Sequence, residues 1–153
     1  MKKVLYGIIL ILLVLLCIFL YFNGAHSNKQ TPTADGLATE WSGEQKLPTE
    51  STSIPMIAIP GISKLVFKAD TTEQKVNFYN PEENNCLFLM SLYVADTCYW
   101  NSGYVEAGKG FYEITLSQPI PKGNYGAFLQ IRCFTKDGTE LNSANVSFEL
   151  IVE

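Results

Sequence analysis

An all-β sandwich is the fold class this sequence predicts, and three observations predict it. Residues 124–134 alternate, with Ala127, Leu129, Ile131 and Cys133 on one face and Gln130 and Arg132 on the other, the period of a half-buried strand. Just before them, Pro119-Ile120-Pro121-Lys122-Gly123 builds a corner, and Tyr125 follows where sandwich domains seat a tyrosine whose hydroxyl bonds back to the corner backbone. From residue 56 to 153, short apolar runs recur between turn residues without a helical period, as in sandwiches. The expectation is an immunoglobulin-like antiparallel β-sandwich of seven or eight strands over 56–153, with Gly123 and Tyr125 as its structural corner.

Each strand has its own signal. Ile57-Ala58-Ile59-Pro60 reads as a first edge strand, where proline is tolerated. Leu65-Val66-Phe67 and Lys75-Val76-Asn77-Phe78-Tyr79 follow, divided by Asp70-Thr71-Thr72-Glu73. Asn80-Pro81-Glu82-Glu83-Asn84-Asn85 is a loop. Residues 87–95 are apolar on both faces, as a central strand covered on both sides would be. Asp96-Thr97 turns the chain into Cys98-Tyr99-Trp100. A strand over 110–116 precedes the corner, Lys136-Asp137-Gly138-Thr139 makes a turn, and Val146, Phe148, Leu150 and Val152 alternate in the last strand.

Ahead of the domain, Met1-Lys2-Lys3 is followed by residues 4–22 without one charge. A helix of that length rises about 28 Å, close to the ~30 Å hydrocarbon core. Residues 1–22 are therefore expected to be an uncleaved membrane anchor, with the lysines in the cytoplasm and the C-terminal domain outside. A cleaved signal peptide has a shorter apolar region and a better exit than Ala25-His26-Ser27. Residues 23–55 are dominated by Thr, Ser, Glu, Gly, Asn and Gln. Leu37, Trp41, Leu47 and Ile54 are too sparse there to offset the entropy of ordering, so a flexible extracytoplasmic linker is expected.

The net charge of −4 argues against a nucleic-acid partner. His26 is the only histidine and lies in the linker, so Ser-His-Asp, Cys-His and Cys-Cys-His arrangements have no member in 56–153. Glu82 and Glu83, with Asn84 and Asn85, lack the Asp-x-Asp-x-Asp-Gly order of a calcium loop and read as a solvated acidic turn. No catalytic residue, metal or cofactor is expected.

Cys86 opens the central strand and Cys133 ends its strand on the inward face. If those strands are antiparallel neighbours, the two sulfurs meet, as a disulfide or as buried thiols. Cys98 would be left single. Tyr99, Trp100 and Tyr104 cluster in sequence, with Phe111 and Tyr112 nearby. They read either as core and cross-strand packing or as an aromatic platform for sugar rings or a protein partner.

Ile59-Pro60-Gly61, the Asn80-Pro81-x-x-Asn84-x-Cys86 loop, Glu106-Ala107-Gly108-Lys109 and Tyr112-Glu113-Ile114-Thr115-Leu116 resemble small membrane-anchored, immunoglobulin-like proteins of Gram-positive gut bacteria. The resemblance covers the domain, and the anchor and linker are similar in kind. It implies a single-pass plasma-membrane protein and brings no catalytic residue. Some of these proteins bear an RNA uracil-methyltransferase label. That chemistry needs a cytoplasmic enzyme with a nucleotide-cofactor fold, which this chain has neither the length nor the expected location to be. The function expected is a tethered, non-catalytic binding module for a surface protein, with a carbohydrate-binding module at the cell wall as the alternative.

Overall fold

Residues 32–43 and 57–153 are described in the computed structural model of the chain, and they are all-β, without a helix. The strands are β1 (Thr39–Glu40), β2 (Lys64–Phe67), β3 (Glu73–Tyr79), β4 (Leu87–Val94), β5 (Thr97–Val105), β6 (Lys109–Thr115), β7 (Gly123–Phe134) and β8 (Glu140–Val152). They form a three-stranded sheet in the order β1-β6-β3 and a five-stranded sheet in the order β2-β8-β7-β4-β5. Phe78, Phe111 and Ile114 from the first sheet meet Phe88, Met90, Leu92, Leu129, Ile131 and Leu150 from the second in one core. The expected membrane anchor, which includes Cys17, and His26 of the expected linker lie outside the described residues.

The alternation in β7 buries Ala127, Leu129, Ile131 and Cys133 and leaves Gln130 and Arg132 half-exposed on the other face. β7 therefore sits centrally, antiparallel to β4 on one side and to β8 on the other. The doubly apolar β4 is also central, but no second layer covers its outer face among the described residues. Neighbouring side chains roof that face instead: Tyr93 stacks on Phe128 at 4.8 Å, Tyr104 meets Phe134 edge-on at 5.2 Å, and the Arg132 guanidinium lies 5.0 Å above the Phe134 ring.

Several expectations need correction. β2 pairs parallel with β8, so the pairing is not wholly antiparallel. Residues 57–60 are not a strand; at Ala58 a side chain, that of Asn84, stands where a strand partner would. Ala58 N–H donates to Asn84 Oδ1, and Asn84 Nδ2 donates to the Ala58 carbonyl. The β4–β5 turn is Ala95-Asp96, one residue earlier than expected, with φ of 46° and 65° and Val94 opposite Thr97. That is the left-handed pair a two-residue hairpin demands. The linker expectation fails over 32–43: β1 pairs antiparallel with β6, and Ala34 bridges Tyr104.

Asn80-Pro81-x-x-Asn84-x-Cys86 and Glu106-Ala107-Gly108-Lys109 meet at one end of the sandwich. Asn80 N–H donates to the Lys109 carbonyl and Gly108 N–H to the Asn80 carbonyl. The buried Asn80 side chain donates to the carbonyls of Cys86 and Val105, so it joins β3, β4 and β5 where the ladders stop.

Candidate interaction surface along the β6 edge

Gly110 is where this surface begins. It faces Tyr79 across the β3–β6 ladder, and a Cβ on Gly110 would lie 2.4 Å from the Phe78 carbonyl oxygen and 2.6 Å from Tyr79 Cβ. Only glycine leaves room for the Tyr79 side chain to cross there. Trp41 lies flat on the Tyr79 ring, centroids 3.6 Å apart and planes 8° apart. Under that cover Tyr79 is only 6 % exposed. Burial first, and the Glu83 charge second, raise the Tyr79 phenol above its ordinary value.

Polar groups fix the indole in place. Trp41 Nε1–H donates to Asn77 Oδ1 at 2.6 Å, and Trp41 N–H donates to the Gly108 carbonyl at 2.9 Å. Ser42 N–H donates to the Tyr112 hydroxyl oxygen at 3.0 Å. The Ser42 hydroxyl lies 3.4 Å from that oxygen, and these contacts lower the Tyr112 phenol. Six residues upstream the Asp35 carboxylate accepts from the amides of Leu37 and Gly103, while Asp35 N–H donates to the Tyr104 carbonyl. Lys109 sits 3.9 Å from Glu40 and 2.9 Å from Glu106, exposed pairs that contribute little.

Residues 32–43 thus run from the edge of β5 to the edge of β6, covering one open side of each sheet. Unpaired strand edges are ready templates for another chain, and here the chain's own segment takes that role. The sequence signal for it was Trp41 in a polar stretch, which apolar density alone discounts.

The residues expected to form an aromatic platform are separated. Trp100 is opposite Leu92 and points into the sandwich, edge-on to Phe111 at 5.0 Å and 5.8 Å from Phe78. Tyr104 is opposite Leu89, on the outer face with Phe134. A β-bulge divides them: Met90 alone faces Ser102 and Gly103, and Ser102 Oγ accepts the Met90 N–H at 2.8 Å. One extra residue reverses the face of everything beyond it. Tyr99 packs against the core at the second bulge of the same pair.

At the corner, the Tyr125 hydroxyl donates to the Pro121 carbonyl at 2.9 Å. Gly123 gives the ring its space, since a Cβ there would lie 3.1 Å from the hydroxyl oxygen. Cys86 and Cys133 are both buried thiols and lie close enough to influence each other's ionisation. Burial, then the neighbouring Cys86, push Cys133 up to about 12. Burial raises Cys86 as well, against a lowering from Cys133. Cys98 is half-exposed and hydrogen-bonds to Trp100 and Asn101.

Two open concavities of 680 and 470 Å³ flank Asn84-Asn85-Cys86. Their walls carry Glu83 in one, and Glu106 and Lys136 in the other. Among the described residues no three His, Cys, Asp or Glu side chains gather for a metal ion. No family, curated protein or solved structure matches the chain.

Proposed function

We propose that the chain is a membrane-tethered, non-catalytic interaction module, an immunoglobulin-like domain held outside the plasma membrane by an N-terminal helix. The charge-free run over 4–22 behind Lys2 and Lys3 supports the anchor and its orientation. Three features support the immunoglobulin-like assignment. They are the sheet order β2-β8-β7-β4-β5 opposite β3 and β6, the parallel pairing of the first domain strand with the last, and the Tyr125 bond to the corner.

The observation that carries the binding role is the β6 edge, which already holds a short strand, Thr39–Glu40, by backbone pairing and the adjoining Trp41 by one aromatic stack. Strand addition with side-chain pockets is a recurring mode of protein recognition. The sugar alternative relied on Tyr99, Trp100 and Tyr104, whose rings do not share a face.

A photoreactive benzoylphenylalanine at Tyr112, 45 % exposed beside the segment, tests the role on intact cells. The expected result is a discrete adduct with another membrane or surface protein, removed by protease added outside. Adducts confined to cytoplasmic proteins would contradict it.

A further inference from the structure

Residues 32–43 are held as a ligand is held, not as a core strand is. Leu37, one of the segment's few large apolar side chains, is 81 % exposed, and only Ala38 touches the margin of the core. What fastens the segment is backbone pairing with β6, the Asp35 carboxylate on Gly103 N–H, and the indole on Tyr79. The backbone pairing of Thr39–Glu40 accepts any short strand, while the turn at Gly36-Leu37 and the two side chains select.

We propose that this surface is an acceptor site for a peptide of another chain that turns once, as Asp35–Ala38 does, and then pairs with β6. That peptide would carry an acidic side chain and a tryptophan at the spacing of Asp35 and Trp41. Residues 32–43 occupy the site in cis until such a peptide displaces them. The occupant's chemistry is copied from the occupant in place: a carboxylate for the Gly103 amide, an indole whose N–H reaches Asn77, and an acidic residue near Lys109. Residues 44–63 separate the segment from β2, and the segment belongs to no strand of the five-stranded sheet, so its release leaves that sheet's strands in place. Being part of the same chain, the segment competes intramolecularly, with an effective concentration that no dilution lowers. A peptide in trans therefore meets a site that is open only part of the time, and its apparent affinity falls by that fraction.

The inference rests on the interaction-module reading, but its test is separate from crosslinking on cells, which would also register a partner bound elsewhere on the domain. A fluorescent synthetic peptide of residues 31–43 is titrated against the full-length chain in detergent and against its Asp35→Ala/Trp41→Ala variant. The variant, its site opened, should bind the peptide saturably and at least about tenfold more tightly than the parent chain. Adding Tyr79→Ala to the variant should abolish binding, and the peptide with Trp41→Ala should be inert. No saturable binding to a variant that keeps its β spectrum and cooperative melt would overturn the proposal. Binding indifferent to Tyr79 or Trp41 would do the same. A parent chain that is dimeric by light scattering and unmoved by excess peptide would assign the surface to a second copy and overturn it too. Should the variant not fold, the parent chain cut at a protease site inserted in 44–56 decides. Excess peptide must exchange with the clipped segment and leave the sandwich folded, and unfolding when the segment leaves would make it a structural strand instead.

Discussion

Asn84 grips Ala58 with both ends of its side-chain amide, accepting the Ala58 N–H at 2.8 Å and donating to the Ala58 carbonyl at 2.9 Å. A second bond from Nδ2 reaches Asn80 Oδ1 at 2.8 Å. Asn80 in turn spends its own amide on Cys86 and Val105. Two asparagines thus finish the sheet ends that no strand completes.

Asn80→Ala should therefore cost about 2–6 kcal/mol, since it leaves the Cys86 and Val105 carbonyls without this donor and each unsatisfied buried group costs about 1–3 kcal/mol. Urea unfolding of the wild type and variant reads the difference. A loss below about 1 kcal/mol would mean that water replaces the side chain and the network is not sealed.

Ala95 offers a gain. Its φ of 46° puts a Cβ where left-handed backbone costs about 1–2 kcal/mol, and asparagine tolerates that region. Ala95→Asn should raise stability by about 0.5–1 kcal/mol, read as a higher thermal midpoint. A destabilised variant would mean that the hairpin has another turn geometry.

Tyr125→Phe removes only the hydroxyl on Pro121. That bond is at the surface, so the expected loss is about 0.5–1.5 kcal/mol, the net value of an ordinary hydrogen bond. Thermal melts of the pair measure it, and a change within about 0.2 kcal/mol would remove the corner bond from the fold's energetics.

Cys133 makes the domain sensitive to alkali. In the unfolded chain a thiol ionises near pH 8.5, whereas in the fold it holds its proton up to about 12. Between those values the unfolded chain binds fewer protons, so stability falls as pH rises through that window and is complete below it. Cys133→Ala should flatten the decline in melts taken from pH 8 to 11. Both thiols are buried and hold their protons. With Cys98 protected beforehand by alkylation, diamide should therefore join Cys86 and Cys133, taking two electrons and two protons from them, only when the domain opens transiently at alkaline pH. The bridge closes a loop of roughly fifty residues, worth about 4 kcal/mol in the chain-entropy picture. A Cys86–Cys98 bridge formed in unblocked protein, in preference to Cys86–Cys133, would contradict the pairing.

Strand positions were legible because alternation and turn residues report them directly, as in Ala127-x-Leu129-x-Ile131-x-Cys133. The neighbourhood of Cys86 and Cys133 was legible for the same reason. What parity along the chain cannot report is a bulge, and the one opposite Met90 sends Trp100 and Tyr104 to opposite faces. Side-chain substitution for a ladder is equally silent, so residues 57–60 read as a strand although Asn84 satisfies Ala58. Segment 32–43 escaped for an energetic reason. Its attachment comes from edge pairing and one stacked ring instead of a periodic apolar face.

That attachment is the centre of the account, and amide hydrogen exchange measures it directly. Asp35 N–H is bonded to the Tyr104 carbonyl and Trp41 N–H to the Gly108 carbonyl, so both should exchange at least about tenfold more slowly than in an unfolded chain. Tyr79→Ala should release both while the β7 amides stay protected. Random-coil exchange at Asp35 and Trp41 in the wild type, beside a protected β7, would contradict it.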